Sequence, residues 1–471
     1  MYKNKYSAVM LTMMCVLLLH RTAMAATYYS SPNGSGTICS INSPCSLNNG
    51  LGKLSAGDTL YLRGGTYRQS VNFSRNGKSG NPITIAGYPN ETAVIDGYNT
   101  IPSHWGTLFN ILGNWVIVRD LEIKDSFSMG LVMRADHDSA INVYAHGNYE
   151  NGILVSAAGS SVGSGKYALI EGCRVYYNNK EERLGLRSNW SSGCSLQQGA
   201  SHGVIRKCKV WENGGEGLSV FSYSCSNPTD YALVEDNIVY DNGHANLYLQ
   251  NTRHTIVQRN IVYSTKSDWG TSAGGIQVQN ELACNHNDDI KILNNFVMNA
   301  NNNNFVRWYS SSAGGSFTNW VIAGNTFVNA NTSNCIKIEP GGGTPSNNLI
   351  ADNIFIQQDS SAIANVPAGY ATWSHNFWSK TADSDARGPG DAIGDPRIEG
   401  GSWGAGTLTA EYFKLKNDSP ARDAGITVSD LTEDFFGTAR TVGDSPDMGG
   451  YEHTDILAKF LIPPEDFRLA K

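Results

Sequence analysis

Three groups of side chains in this sequence have types and spacings suited to proton transfer. The central group is Glu216, His244, Tyr248 and Arg253; a second is Arg307 with Lys337 and Glu339; the third is the run RADHD at 134–138, followed by GNYENGILV at 147–155. Carboxylates, imidazoles and phenols give or take a proton when held beside a reacting atom, and a guanidinium or ammonium steadies the negative charge that develops. Glu216, His244, Tyr248 and Arg307 are the candidate catalytic residues, and Gln250, Arg253, Gln277, Gln279 and Lys337 the candidate ligand contacts. Plainer readings stand beside these. Asp136 to Asp138 suit a solvated turn, Glu216 and His244 suit caps on backbone amides, and the pair Asp288 and Asp289 suggests hydrolytic chemistry only in isolation.

Whether any of these groups meet depends on the elements that carry them. Residues 203–214 (GVIRKCKVWENG), 232–243 (ALVEDNIVYDNG) and 255–263 (TIVQRNIVY) align without gaps, and two of them run on into a second apolar strand, 217–221 (GLSVF) and 246–250 (NLYLQ). A pair of short strands cannot bury its inner face alone, so the copies must stack into a solenoid. One equivalent position counts the coils: Asp120, Ile141, Cys173, Cys208, Asn237, Asn260, Asn295, Asn325, Asn353 and Asn376. Asparagine at six consecutive coils predicts an inward amide ladder that serves stability.

The second strand of each coil sets a register, because neighbouring side chains alternate between core and surface. Ile153, Cys194, Leu218, Leu247, Ile276, Ile336 and Ile363 align as inward residues. Ser195, Gln197, Ser219, Phe221, Tyr248, Gln250, Gln277, Gln279, Lys337 and Glu339 then face outward. The same register turns Arg307 inward, where an unpaired charge costs several kcal/mol or more, so a one-residue bulge that turns it outward is expected. The outer face is amide-rich and aromatic, which suits an extended glycan. Long insertions at 178–192, 222–230 and 264–273 would wall its middle, and loops on a rigid scaffold are where function concentrates.

The bulk composition agrees with such an array. Glycine is frequent (50 residues), the charged fraction is low at 16%, and the formal charge of -7 argues against a nucleic-acid groove. Residues 1–25 join Lys3 and Lys5, an apolar run from Ala8 to Leu19 and the small-residue site Ala23-Met24-Ala25. This predicts a secretory leader cleaved before Ala26, too short to span a bilayer. Export takes the mature cysteines out of a reducing compartment. Cys39 and Cys45 are expected to form one bridge and Cys194 with Cys225 another, while Cys173 and Cys208, at equivalent coil positions, read as stacked thiols.

The opening phrases 57–67 (GDTLYLRGGTY), 82–88 (PITIAGY) and 93–97 (AVIDG) resemble the first coils of exported right-handed β-helix proteins, the pectin-lyase-like superfamily. The phrases 391–396 (DAIGDP), 413–425 (FKLKNDSPARDAG) and 446–452 (PDMGGYE) are similar to the closing segment of such proteins. The resemblance implies an all-β fold, a single-stranded right-handed parallel β-helix capped at both ends. Its parts would be a leader (1–25), a cap with the first coils (26–98), the repeat body (99–378), a closing segment (379–454) and a tail (455–471). It also implies action on acidic polysaccharides by lyases, C5-epimerases or hydrolases, or binding by noncatalytic adhesins. Elimination and epimerisation both remove the C5 proton of a uronate, which needs a neutralised carboxylate, and Ca²⁺ is the cofactor the resemblance brings in. Asp136, His137 and Asp138 resemble the Asp-Pro-His-acid motif of mannuronan C5-epimerases without its proline. The expectation is a secreted, monomeric, lyase-type protein acting on a uronate glycan in the middle of the groove.

Overall fold

The structure, a computed structural model, describes residues 25–156, 165–186, 190–265, 274–282, 287–300, 302–309, 317–341 and 343–454. The leader expected at 1–25 and the tail at 455–471 lie almost wholly outside the described residues. Short strands recur in threes and build three sheets. The first sheet runs in thirteen strands from Thr27–Ser30 to Thr372–Ser374, the second in eleven from Val71–Phe73 to Ala364–Asn365, and the third in thirteen from Gly65–Tyr67 to Ala392–Ile393. Each coil visits the first, third and second sheets in turn, as Val116–Arg119, Glu122–Lys124 and Met129–Met133 do, and every strand pairs in parallel with its counterpart one coil away. The fold is a right-handed parallel β-helix.

Its interior is a set of aliphatic columns. In the first sheet Val118, Ala140, Ile170, Ile205, Val234, Val257, Ile292, Ile322 and Ile350 stack in register, all but sealed from solvent. Burying each large member is worth about 1.5–3 kcal/mol. At the corner between the first and third sheets the expected amide ladder is present. Each Nδ2–H donates to the next Oδ1 from Asn237 through Asn260, Asn295, Asn325 and Asn353 to Asn376, at 2.9–3.0 Å. Cys173 and Cys208 continue this column as buried free thiols. Its first two places belong to Leu121 and Val143, one residue before the strands Glu122–Lys124 and Tyr144–His146, and not to Asp120 and Ile141. Asp120 occupies the left-handed corner just outside the column (φ 56°).

Two further columns explain residues that looked chemical in the sequence. A second amide ladder, Asn148, Asn178, Asn213, Asn242 and Asn246, lines the corner between the third and second sheets. At the corner between the second and first sheets, rings stack one per coil: Trp115 on His137, His137 on Tyr167, then His202, Tyr231 and His254, with centroids 4.0–4.8 Å apart. All six residues have φ of 53–63°, a left-handed conformation unfavourable to any side chain. Ring stacking offsets that cost. His137 is therefore a corner ring, flanked by Asp136 and Asp138, whose carboxylates accept backbone N–H bonds from Lys166 and Val116. Asp289 holds the next corner (φ 50°), bonded to His254, and Asp288 accepts from Thr318 and Asn319.

The closing segment does more than cover the last edge. Ala392–Ile393 adds a strand to the third sheet, and the chain then returns along the outside of earlier coils, laying Phe413 and Phe435 on Phe296, and Val428 and Leu431 on Leu293, Ala323 and Ala351. Arg440 fastens it by donating to Asn294 Oδ1 and to the carbonyls of Asp447 and Gly449. Cys39 and Cys45 form the expected disulfide. Cys194 is a buried free thiol in the column of inward residues, so it is no partner for Cys225, which is itself disulfide-bonded. The inward column runs as predicted through Ile153, Cys194, Leu218, Leu247, Ile276 and Ile336, but pairing puts Ala364, not Ile363, beside Ile336.

Candidate active site on the second sheet

Residues of the first two insertions reach the middle of the second sheet's outer face. Ser195, Ser219, Phe221, Tyr248, Gln250 and Gln277 project outward by register and are nevertheless buried. Over them lies an open cavity of about 260 Å³, lined by Trp190, Glu216, Phe221, Tyr223, Tyr248, Gln250 and Glu281. Trp190 comes from the first insertion and Tyr223 from the second. The part of the third insertion at 266–273 lies outside the described residues.

Tyr248 is the centre of this pocket. It is 6% exposed, packs on Phe221, and its hydroxyl donates to Gln250 Oε1 at 2.5 Å, with Gln279 Oε1 and Glu281 Oε1 each 3.3 Å away. Burial first, then the carboxyls of Glu281 and Glu216, push its phenol well above the usual range, so it is a proton donor at neutral pH. Glu216 forms the floor at 3% exposure. Its Oε2 accepts from Ser192 Oγ at 3.1 Å, and Ser192, Ser219 and Ser195 continue as a hydroxyl chain with links of 2.6 and 2.7 Å. Burial raises its carboxyl to about 8 despite the bonds from its own amide and Ser192. Burial also raises Glu281, opposed by the Tyr248 hydroxyl, making it a stronger base than an ordinary carboxylate.

The other candidates divide. His244 does not line the cavity but stacks behind Trp190, centroids 4.0 Å apart and planes within 6°, with Nε2 3.8 Å from Glu182 Oε1. Burial lowers its pKa, keeping the imidazole neutral. Gln279 touches the Tyr248 hydroxyl, and Gln277 pairs beside Tyr248 on the next strand. Three cations lie elsewhere. Arg253 belongs to the first sheet and forms an ion pair with Asp230 at 2.6 Å, because the chain turns the corner at Asn251. Lys337 is bound to Glu339 at 2.8 Å, two coils beyond Gln277. Arg307 has no outward bulge. It is fully buried in register with Val278 and Ile338, its guanidinium donating to the carbonyls of Glu339 and Gly341 over the Phe317 ring. Carbonyl dipoles at the coil corner supply the compensation that the sequence did not show, so the catalytic role expected for Arg307 is withdrawn.

Glu281 and Tyr223 were missed although the register already pointed to them. Outward alternation carried two residues past Gln279 reaches Glu281, and two past Phe221 reaches Tyr223. Trp190 carries no such signal, since it sits in an irregular insertion.

Ca²⁺ takes six to eight oxygen ligands. Glu216 and Glu281 are the only carboxyl groups in the described lining, and their oxygens already serve Ser192 and Tyr248. Among the described residues one group of three acid or imidazole donors lies within ligand distance, His104, Glu150 and Glu181, with His104 Nε2 2.9 Å from Glu181 Oε1. An imidazole in so small a set suits a transition ion better than Ca²⁺. The described residues do not compose a Ca²⁺ site in the pocket.

The fold is that of right-handed parallel β-helix proteins. Residues 28–255 match the family described as Pel9A-like, right handed beta helix region. Pectate lyase L of Dickeya chrysanthemi is 24% identical over 229 residues, 46% of this chain and 51% of that protein, so the chain spans about half the length of this curated relative. Among solved structures, pectate lyase Pel9A superposes with a TM-score of 0.58 at 20% identity over 92% of this chain and 97% of that one. The complex of XylC with xylose superposes with a TM-score of 0.61 at 9% identity over 91% and 98%. At these identities the structural likeness is one of fold. Among the described residues no helix is long and apolar enough to cross a membrane.

Proposed function

We propose that this chain is an exported polysaccharide lyase that cleaves a uronate-containing glycan by β-elimination at Tyr248. The observation that carries the reading is the convergence of a protonated phenol, a basic carboxylate (Glu281) and a buried carboxyl (Glu216) in one loop-walled cavity on the outer face of the middle coils. The match of residues 28–255 to a pectate-lyase-related family and the likeness to pectate lyase L support it. The leader-like segment and the Cys39–Cys45 disulfide support export.

Glu281 takes the C5 proton, and Tyr248, its proton directed among Gln250, Gln279 and Glu281, protonates the departing glycosidic oxygen. Trp190 and Tyr223, both more than half exposed, offer ring faces to sugar rings. The loops that bury this sheet face exclude water from the proton transfers.

Incubation with pectate, alginate and other uronate polysaccharides should give an unsaturated product absorbing near the ultraviolet edge. Tyr248→Phe should lower turnover by about a hundredfold or more, the range of positioned acid–base groups, with unchanged circular dichroism. Inversion at C5 without chain cleavage would select an epimerase, and binding without turnover a noncatalytic protein; either result would sink the lyase reading.

A further inference from the structure

Resting on that reading, we propose that the uronate carboxylate is neutralised by a proton, with Glu216 receiving it as a carboxylic acid that donates a hydrogen bond. Elimination needs the substrate's charge masked, and the masking group must lie within reach of the reacting sugar. The described lining of the cavity contains no lysine or arginine. The cations expected to serve are Arg253, committed to Asp230 on another sheet, Lys337, committed to Glu339, and Arg307, sealed in the interior. Nor do the described carboxyls assemble a Ca²⁺ cage.

Glu216 is placed to fill that role. Its carboxyl lies at the pocket floor, almost wholly buried, with one oxygen taken by the Ser192 hydroxyl. The titratable groups around it come from several elements: Glu182 from the short helix Lys180–Arg183, Glu281 beyond the strand Ile276–Asn280, Tyr248 from Leu247–Gln250 and Tyr223 from the second insertion. None is a cation. His244, which faces Glu182, is held neutral by burial. Desolvation together with like charges keeps a carboxyl protonated, which is why its proton is retained up to about pH 8. An acid O–H facing a carboxylate makes a short, charge-assisted bond, so the proton becomes the counter-charge.

The test uses the full chain, tetragalacturonate and calorimetry from pH 5 to 9 in buffers of differing ionisation heat. Wild-type affinity should be flat to about pH 7 and fall by about tenfold per pH unit above 8, with uptake approaching one proton per site at pH 9. Glu216→Gln keeps a neutral donor of the same shape, so at pH 9 it should bind as the wild type does at pH 6, with no proton uptake. Methyl-esterified tetragalacturonate should show no such pH dependence. The proposal falls if wild-type binding takes up no proton, if Glu216→Gln keeps the wild-type slope, or if EDTA abolishes binding and Ca²⁺ restores it. In each of these cases an unsaturated product would leave the lyase reading standing. Absence of both product and uronate binding would overturn the two together.

Discussion

At the scale of single residues, the pocket separates groups that move protons from groups that hold them in place. Tyr248 and Glu281 are in direct reach of each other, whereas His244 lies outside the cavity lining, stacked on the Trp190 ring. Trp190→Ala and His244→Ala should therefore raise KM about tenfold or more while lowering kcat only a few fold, because they disturb a sugar platform and leave the proton-transfer pair intact. A fall in kcat of about a hundredfold for His244→Ala at unchanged KM would make the imidazole the base and displace Glu281. Truncating Tyr248 to alanine is a poor probe of binding, since its buried ring packs on Phe221 and deletion of a buried aromatic costs about 3–5 kcal/mol in its own right.

At the scale of elements, the coil corners carry most of the polar order. In the first ladder Asn260 donates to Asn295 Oδ1 and to the carbonyls of Val234 and Gln258, and accepts from Asn237. Asn260→Leu should leave several of these groups unsatisfied, at about 1–3 kcal/mol each, and lower Tm by several degrees in thermal melts. An unchanged Tm would mean that the ladder is not holding the corner. His137→Ala removes a ring held between Trp115 and Tyr167 but keeps the left-handed corner, so it should lower Tm modestly. Turnover should stay within about twofold, because residues 136–138 do not line the pocket and the two acids are bound to backbone amides. A large loss of turnover would restore the epimerase-like reading of that motif.

At the scale of the whole molecule, buried carboxyls make stability depend on pH. Burial raises Glu216 to about 8 and both Asp352 and Asp447 to about 7. A raised carboxyl binds a proton in the native state that the unfolded chain has released, so its stability contribution is complete below about pH 4 and lost as pH rises through 7 to 8. Glu91 works in the opposite sense. Its bonds from Arg63 and the Gly64 amide lower it to about 2, and its contribution is lost as pH falls through that value. Stability should therefore be greatest near pH 4–5 and decline toward pH 8, and Glu216→Gln should flatten part of the decline in melts across that range. Rising stability over the same interval would show that these carboxyls are ionised and paired.

The repeat phrases, the six-asparagine ladder and the alternation along the second strand determined the solenoid and which side chains leave its core. Those features are local and periodic, and a stacked coil repeats its neighbour's geometry, so spacing in sequence translates directly into columns in space. That is why Tyr248 and Gln250 could be named for one surface, and why Glu281 was within reach of the same rule. Position relative to a corner was not legible. Arg253 lies three residues after Gln250 yet belongs to another sheet, since a left-handed residue at Asn251 turns the chain there. The fate of Arg307 was likewise decided by carbonyls more than thirty residues away, at Glu339 and Gly341, and the protonation of Glu216 by groups on three other elements. Burial and charge compensation depend on non-local surroundings, so the tertiary structure alone decided that the pocket gathers acids and a phenol while the expected cations lie elsewhere.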